Sequence, residues 1–454
     1  MLTIFGRGQG GFCDGVSRRD FLKVGSLGFG GMTLAQLLAA EAQAGQSSQH
    51  KAIINIYMPG GPSHIDLWDL KPEAPTEIRG EFKPIQTNVS GIEICEMFPR
   101  IAGMMDKFVP IRSMADCNGR HDAYQCMTGR SYPGEGRPHW PSAGAWVSRL
   151  AGPVNQGVPP HMSLVYKTGH GPWGAPGGSG FLGMKHAPFR LVGGQGDNSV
   201  ESAENMVLKA ITLDRLRDRK ALMQSLDRFR RDADASGKMG AMDVYHQQAM
   251  GILTSSKLSD ALDVSNEDPK IVERYGKGDP TFRADGAPKV TENFLVARRL
   301  VEAGARYVSL NFSRWDWHSE NFKRGREDFP MLDAALSALV EDLDQRGMLD
   351  DVSIVCWGEF GRTPKNNAKS GRDHWPKVSG AILAGGGMQT GQVIGSTNRL
   401  GEEPKDRPVK FQEVFATLFH NMGLLGPRAD RIFDFQSRPQ NPIESSVAPM
   451  RELV

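Results

Sequence analysis

The stretch VSIVCWGEFGRTP, which spans residues 352–364, joins an apolar run directly to a polar segment that contains glycine and proline. The apolar part predicts a short buried strand, and the glycines and the proline predict a turn at its carboxyl end. The same succession occurs where Ala52–Met58 leads into Gly60–Asp66 and where Arg306–Phe312 leads into Arg314–Asn321. Strands that each end in a polar motif therefore form the framework of the chain.

Helical patterns separate these strands in the second half of the chain. Val290–Ala303 and Met331–Arg346 carry apolar residues at helical spacing, and Gly347 closes the second of these helices. Gly380–Ala384 predicts one more strand, and Phe411–Met422 predicts a final helix. Alternating strands and helices are typical of a parallel sheet with helices packed on its faces, so the sequence predicts an α/β fold.

The first half of the chain has a less regular pattern. Ile85–Ile94 predicts a surface hairpin, Met97–Met105 a helix and Phe108–Ser113 a strand. The segment Asn118–Gly180 is rich in Gly, Pro, His and Trp, and we expect long ordered loops there with one short helix near Ala143–Leu150. A segment of this length without regular structure is unusual unless it serves a function.

Composition limits the class of protein. The chain has 454 residues and a formal net charge of +2, so no strong field points to nucleic acid or to an anionic membrane as a partner. An amphipathic pattern over Asn205–Gln248 predicts a helical insert that covers about residues 203–265. No C-x-x-C spacing occurs, which leaves disulfides and small buried thiols as alternatives for Cys95, Cys117, Cys126 and Cys356.

The N-terminus has the pattern of an export signal. Ser17–Lys23 reads SRRDFLK, the mildly apolar Val24–Ala40 follows, and AQA at residues 42–44 offers small side chains where a signal peptidase cleaves. The pattern predicts a twin-arginine signal over residues 1–44 and a mature domain over residues 45–454. We therefore expect a periplasmic or secreted protein that meets the twin-arginine translocase during export and has no stable membrane span.

The polar motifs at the strand ends provide the candidate site. Ligands of open parallel sheets bind beyond the carboxyl ends of the strands, so we expect these motifs to meet in one place. In His64-x-Asp66 and in Asp316-x-His318, both side chains of an extended segment point to one side and can reach one ion. Imidazole nitrogen and carboxylate oxygen suit a divalent metal. The candidate ligands are His64, Asp66, Asp316, His318, Glu359, Asp373 and His374, the last two from the motif GRDHWP at residues 371–376.

Other polar residues near these motifs admit two interpretations. Arg362 and Arg372 stand beside carboxylates and suit a phosphate or sulfate group, and Ser63 is a candidate nucleophile. The alternatives are a structural ion pair between Glu359 and Arg362 and ordinary hydrogen bonds in loops. The pair His121-Asp122 is a further candidate for the metal site. We expect the other histidines to be structural or exposed, namely His139, His161, His170, His186 and His246, and we expect His420 to pack within a helix.

At four motifs the sequence resembles the bacterial family DUF1501, namely GGPSHID at residues 60–66, DWH at 316–318, EFGRTP at 359–364 and GRDHWP at 371–376. The resemblance covers nearly the whole mature chain and implies a distant branch of the alkaline phosphatase and sulfatase superfamily. It implies a doubly wound α/β fold, with a mostly parallel sheet flanked by helices, and metal-assisted hydrolysis of phosphate or sulfate esters.

The resemblance also implies an order of metal ligands. Asp66, Asp316 with His318, Glu359 and His374 fall in an order similar to that of the residues that hold two metals in that superfamily. Glu359 stands where an Asp-His pair is usual. The sequence has no Cys-x-Pro-Ser-Arg motif and therefore no formylglycine nucleophile of the sulfatase kind.

Two functions are open on these grounds. The first is an exported hydrolase of phosphate or sulfate esters on a small anionic molecule or a glycan, with Zn²⁺, Ca²⁺, Mg²⁺ or Mn²⁺ as its metal. The second is a non-catalytic descendant that binds a glycan or a partner protein through the same fold. A redox enzyme is disfavoured because the sequence has no flavin fingerprint, haem motif or iron–sulfur cysteine array.

Replacing both Arg18 and Arg19 by Lys should retain the precursor in the cytoplasm, because the export pathway reads the arginine pair. Cell fractionation followed by immunoblotting measures the distribution between cytoplasm and periplasm. Arg7→Lys is a matched control outside the motif and should be exported like the wild type. Normal periplasmic accumulation of the double variant would contradict the twin-arginine interpretation.

Overall fold

The computed structural model describes residues 50–137, 139–192, 256–425, 432–433 and 439–454. These residues belong to one compact unit, His50–Val454. The predicted signal, most of the predicted insert and His246 lie outside the described residues, so the interpretations of these parts stay predictions.

Strands of the described residues form a central sheet and several two-stranded pairs. In chain order they are β1 (Ala52–Tyr57), β2 (Pro84–Gln86), β3 (Glu93–Cys95), β4 (Phe108–Ala115), β5 (His161–Leu164), β6 (Phe189–Arg190), β7 (Tyr307–Asn311), β8 (Val352–Trp357), β9 (Gly361–Arg362), β10 (His374–Trp375), β11 (Ser379–Gly385), β12 (Ser396–Thr397), β13 (Pro404–Asp406), β14 (Val409–Lys410), β15 (Ile432–Phe433) and β16 (Pro439–Gln440).

Helices connect many of these strands. The α-helices are α1 (His64–Leu67), α2 (Thr76–Arg79), α3 (Pro99–Ala102), α4 (Tyr124–Thr128), α5 (Ala143–Ala151), α6 (Lys257–Leu262), α7 (Pro269–Arg274), α8 (Glu292–Ala303), α9 (Asn321–Gln345) and α10 (Phe411–Asn421). Short 3₁₀ helices cover Met105–Lys107, Gly171–Gly174, Gly180–Leu182, Met184–His186, Val264–Asn266 and Leu349–Asp351.

The central sheet is mostly parallel. In the described residues it contains eight strands in the order β14-β4-β11-β8-β1-β7-β5-β6. Strand β1 pairs in parallel with β7 and β8, strand β5 pairs in parallel with β7 and β6, and β14 pairs in parallel with β4. Strand β11 is antiparallel to both of its neighbours, β4 and β8. The predicted α/β fold with a mostly parallel sheet is therefore confirmed.

Helices cover both faces of this sheet. Along β1, Ile54 and Ile56 join one apolar core with α8 and α9, whereas Ile53 and Tyr57 join a second core with α5 and α10. Every residue of β1 and of β8 is buried, which explains why both strands read as apolar runs interrupted only by Asn55 and Ser353. The result is a doubly wound α/β fold of three layers.

Some elements differ from the sequence-based expectations. Strand β5 lies in the region predicted as loops, because its sequence HMSL lacks a β-branched run and only its pairing with β7 makes it a strand. Helix α9 begins at Asn321 rather than at Met331 and continues through Pro330. The helix predicted over Met97–Met105 is reduced to α3 and a 3₁₀ turn. His420 lies in α10 but is exposed, because the apolar side of α10 faces the sheet.

The expectations for the hairpin, the short helix and the cysteines are confirmed. Strands β2 and β3 form the predicted hairpin, and α5 lies where the short helix was predicted. The cysteines of the described residues are free thiols, and Cys95, Cys126 and Cys356 are buried, so the buried-thiol alternative is correct. No described helix has both the length and the apolar composition that crossing a membrane requires.

His161 gives the folded state a dependence on pH. Its buried Nδ1 lies 3.1 Å from the carbonyl oxygen of His186, and its Nε2 has no hydrogen-bond partner among the described residues. Burial lowers the pKa of His161 from 6.5 to about 4. Between these two values the unfolded chain binds a proton that the folded chain does not, so the free energy of unfolding decreases as the pH falls.

Between pH 7 and pH 5, titration of His161 should lower the free energy of unfolding of the wild type by about 2 kcal/mol. His161→Gln lacks the titrating ring and should not show this part of the decrease. Urea denaturation of wild type and variant at both pH values measures this loss. His420→Gln alters an exposed ring and should keep the wild-type dependence. The same dependence in His161→Gln as in the wild type would contradict the account.

Candidate metal centre

The carboxyl ends of the central strands bring distant motifs together. Strands β7, β1 and β8 are adjacent and parallel, and their registers align Asn311, Tyr57 and Trp357 at one edge of the sheet. The loop after β7 carries Asp316 to this edge. The loop after β4, which runs in the same direction as β8, carries His121 to it.

Four side chains meet around one carboxylate oxygen. The Nε2 atoms of His318, His374 and His121 lie 2.9, 3.2 and 3.4 Å from Oδ1 of Asp316, and those of His318 and His374 are 3.1 Å apart. The four ligand atoms all lie within 4.8 Å of one another. On a tetrahedral zinc with bonds of about 2.0–2.1 Å, neighbouring donor atoms are about 3.3 Å apart. The donor set and its spacing therefore fit a transition metal such as zinc.

Carboxylates accept hydrogen bonds from the Nδ1 atoms of two of these imidazole rings. Oδ1 of Asp373 accepts a hydrogen bond from Nδ1 of His318 at 2.6 Å, and Oε1 of Glu359 accepts one from Nδ1 of His121 at 3.2 Å. An ionised carboxylate only accepts, so each Nδ1 carries a hydrogen, and each Nε2 is the atom left to bind a metal once it has given up its own hydrogen. Carboxylates in this position orient the ring at metal sites and raise its basicity.

Glu359 also joins the loops that follow β1 and β8. Its buried carboxylate accepts hydrogen bonds from the backbone N–H groups of Gly60 and Gly61 and from the indole N–H of Trp173. Gly60 has φ +110°, and a Cβ atom there would lie 2.4 Å from the backbone nitrogen of Asp316, so only glycine fits. Glu359 thus fixes the position of two loops as well as one imidazole ring.

The charges around Asp316 favour its ionised form. Burial alone would raise its pKa, but hydrogen bonds from His121 and His374 and the guanidinium of Arg362 hold the pKa of Asp316 well below its usual range. Arg314 donates a further hydrogen bond to Oδ2 at 3.0 Å. Burial lowers the pKa of His374, despite its hydrogen bond to Asp316. Burial would also lower the pKa of His121, but its hydrogen bonds to Asp316 and Glu359 raise that pKa. The cluster therefore offers an anionic oxygen at Asp316 and a neutral nitrogen at His374, and His121 would have to release a proton to bind a cation.

The other predicted ligands lie around this cluster or away from it. Nε2 of His64 lies 2.9 Å from the carbonyl oxygen of Gly401. Asp66 accepts two hydrogen bonds from Arg372, at 2.7 and 3.0 Å. The structure thus brings Asp316, His318 and His374 together, places Glu359 and Asp373 behind two imidazole rings, and gives His64 and Asp66 other partners.

The predicted catalytic residues are all buried. The exposed fractions of Ser63, Arg362 and Arg372 are 4%, 1% and 0%. Arg362 donates to Asp316 and to loop carbonyl oxygens, and Arg372 donates to Asp66 and to other carbonyl oxygens. Oγ of Ser63 has no hydrogen-bond partner among the described residues. The roles of nucleophile and anion binder that the sequence suggested for them stay predictions.

His121 joins the cluster from the loop after β4, and its only signal in the sequence was the adjacent pair His121-Asp122. The structure separates the pair, because Asp122 accepts the backbone N–H of Tyr124 at 3.1 Å while His121 faces Asp316. Nε2 of His170 lies 2.7 Å from the carbonyl oxygen of His121, so His170 has the structural role that the sequence analysis expected.

Family comparison covers almost all of the described chain. The family model described as "Protein of unknown function (DUF1501)" matches residues 50–443. The chain belongs to the DUF1501 family. The matched region of this DUF1501 protein includes every residue of the cluster and the carboxylates behind it. No curated protein matches the chain.

Solved structures resemble this DUF1501 protein only distantly. The PsFucS1 sulfatase from Pseudoalteromonas sp. is 12% identical, with a TM-score of 0.34 over 87% of this chain and 72% of that one. The lipoteichoic acid synthase LtaP from Listeria monocytogenes is 9% identical, with a TM-score of 0.35 over 84% and 74%. The phosphonate monoester hydrolase SpPMH from Silicibacter pomeroyi is 10% identical, with a TM-score of 0.36 over 86% and 76%. Sequence identities and TM-scores this low establish neither the substrate nor the mechanism of this chain.

Replacing His121 by Ala or Asp316 by Asn should lower the metal-to-protein ratio at least about tenfold, because the first change removes one donor atom of the cluster and the second removes the negative charge of another. Elemental analysis of protein dialysed against trace zinc measures the ratio. The exposed His139 lies outside the cluster, so His139→Ala is the matched control and should bind metal like the wild type. Wild-type metal content in both cluster variants would place the metal site elsewhere.

Proposed function

We propose that this DUF1501 protein is an exported, metal-dependent hydrolase of phosphate or sulfate esters, carried by small anionic molecules or by glycans. The observation that supports this proposal best is the meeting of three imidazole Nε2 atoms within 3.4 Å of Oδ1 of Asp316. Two of these rings are oriented by carboxylates. A structural ion pair or a loop hydrogen bond needs no such set of converging donors.

The donor set narrows the choice of metal. Imidazole nitrogen is a poor ligand for Ca²⁺ and Mg²⁺, which prefer oxygen, and a good one for Zn²⁺. Among the four metals that the sequence left open, three imidazoles and one carboxylate therefore favour zinc. The metal would be held by His121, Asp316, His318 and His374.

Solvent reaches the cluster from one side. The side chains of His318 and His374 are 45% and 32% exposed, whereas that of Asp316 is 10% exposed. An ester group can thus approach along the exposed imidazole edges. With four protein ligands, the metal would have to take the ester oxygen or a water as a further ligand, and it could then polarise that oxygen or lower the pKa of an attacking water.

The residues of the chain would then have distinct tasks. Asp373 and Glu359 keep His318 and His121 in the tautomer that binds metal, and Arg362 holds Asp316 in place. We favour water over a protein nucleophile. The reason is that Ser63 has no base within hydrogen-bonding distance among the described residues, and activation of a serine requires one.

The second candidate function is a binding module for a glycan or a partner protein. The burial of Arg362 and Arg372 favours it, because neither guanidinium is exposed to hold the oxygens of a substrate. In that case the metal would have a structural role. Both functions include metal binding, and only the hydrolase turns over an ester.

Zinc-loaded mature protein should hydrolyse at least one aryl phosphate, aryl sulfate or sulfated oligosaccharide, and Asp316→Asn should lower kcat/KM by about 10³-fold. Asp373→Asn should lower it by about 10–100-fold, because that change disorients one ligand and removes none. Release of phosphate, sulfate or the aryl group measures the rate, and His139→Ala is again the matched control.

The possible outcomes separate the two functions. Turnover that depends on Asp316 supports the hydrolase. Metal binding in the wild type without turnover of any of these esters would replace the hydrolase with the binding module.

A further inference from the structure

A buried ion pair connects the loops that carry the candidate metal ligands, and it joins two residues that lie far apart in the sequence. Nε and Nη2 of Arg372 donate to Oδ2 and Oδ1 of Asp66 at 2.7 and 3.0 Å, and the side chains of both residues are 0% exposed. This is a bidentate (two-pronged) contact between a guanidinium and a carboxylate, and it fixes the position and the orientation of both side chains. Asp66 follows β1, whereas Arg372 directly precedes Asp373 and His374 in the chain.

Three loops are tied together at this pair. Asn321, three residues after His318, donates from its side chain to Oδ2 of Asp66 at 2.9 Å. The backbone N–H of Arg372 donates to the carbonyl oxygen of Trp317 at 3.0 Å. The pair therefore contacts the loop that carries His318 and the loop that carries His374.

The remaining donors of Arg372 are used as well. Nη1 donates to the carbonyl oxygen of Thr363 at 3.1 Å, and Nη2 donates to that of Ile78 at 2.9 Å. A guanidinium with this many protein acceptors and no exposed surface cannot also hold the oxygens of a substrate. Three donors also meet the two oxygens of Asp66, and Asp66 is not among the residues of the cluster.

We propose that Asp66 and Arg372 are positioning residues, which clamp the two ligand-bearing loops at the spacing that metal binding requires. The clamp gives Asp66 a role other than that of a metal ligand. The proposal rests on the proposed metal-dependent function. The pair acts on the cluster through the backbone of residues 316–321 and 371–376, and it touches neither the metal nor the substrate.

Two single variants of the pair, the double variant that combines them and one control variant test the clamp. Asp66→Asn removes the charge, and Arg372→Lys keeps the charge but loses the two-pronged contact. The matched control is Asp342→Asn, because Asp342 also forms a buried pair with an arginine, Arg298, at 2.9 Å with exposed fractions of 2% and 1%, in the contact between α8 and α9. All variants are measured at a temperature at which thermal melts show that they are folded.

Zinc affinity is the first measurement. Asp66→Asn and Arg372→Lys should each weaken zinc binding by about 10–100-fold, and the double variant should be little worse than either, because both changes break the same contact. Asp342→Asn should lower the melting temperature and leave the zinc affinity within about threefold of the wild type. Wild-type affinity in folded Arg372→Lys would overturn the clamp.

Hydrogen exchange of the metal-free proteins is the second measurement, and it keeps the clamp testable if the wild type binds no metal. Exchange should become faster in residues 313–321 and 366–376 of both pair variants, and it should stay at the wild-type rate there in Asp342→Asn. Lost zinc binding in Asp66→Asn with unchanged exchange would make Asp66 a ligand and overturn the clamp. Absence of zinc binding in the wild type, with faster exchange in the pair variants, would reject the proposed function and retain the clamp.

Discussion

The buried carboxylate of Asp316 is the group on which the rest of the candidate site depends. Its Oδ1 lies within 3.4 Å of three imidazole nitrogens, and it also accepts a hydrogen bond from Arg362. Burial of an ionised carboxylate is costly unless donors or a cation compensate it. The loops around Asp316 supply those donors. The four ligand atoms lie within 4.8 Å of one another, so a cation bound among them could take the place of the imidazole hydrogens.

The fold was predictable where burial produces a recognisable pattern of apolar residues in the local sequence. Strands β1 and β8 are buried on both faces and appear as runs of mostly apolar residues, which a sequence pattern detects easily. Strand β5 has no such run, and its pairing with β7 involves residues more than a hundred positions away. The antiparallel direction of β11 was equally hidden, because composition does not encode the direction of a strand. The start of α9 was missed because its first turns are mostly polar.

The site was predictable in location and less so in the role of each residue. Strand-end motifs indicated Asp316, His318 and His374, since parallel strands place their carboxyl ends at one edge. Spacing cannot tell whether a carboxylate binds a metal or a ring nitrogen. Glu359 and Asp373 contact His121 and His318, and their role as metal ligands stays a prediction. The bond between Asp66 and Arg372 spans 306 positions of sequence, and no local pattern could reveal it.

Anomalous diffraction from crystals of the zinc-loaded protein locates the metal ion itself. We expect a zinc peak within about 2.0–2.2 Å of Oδ1 of Asp316 and of the Nε2 atoms of His121, His318 and His374. We also expect Asp66 to stay paired with Arg372 and away from the ion. A zinc peak bound by Asp66, or no peak at this cluster in zinc-saturated crystals, would contradict the account.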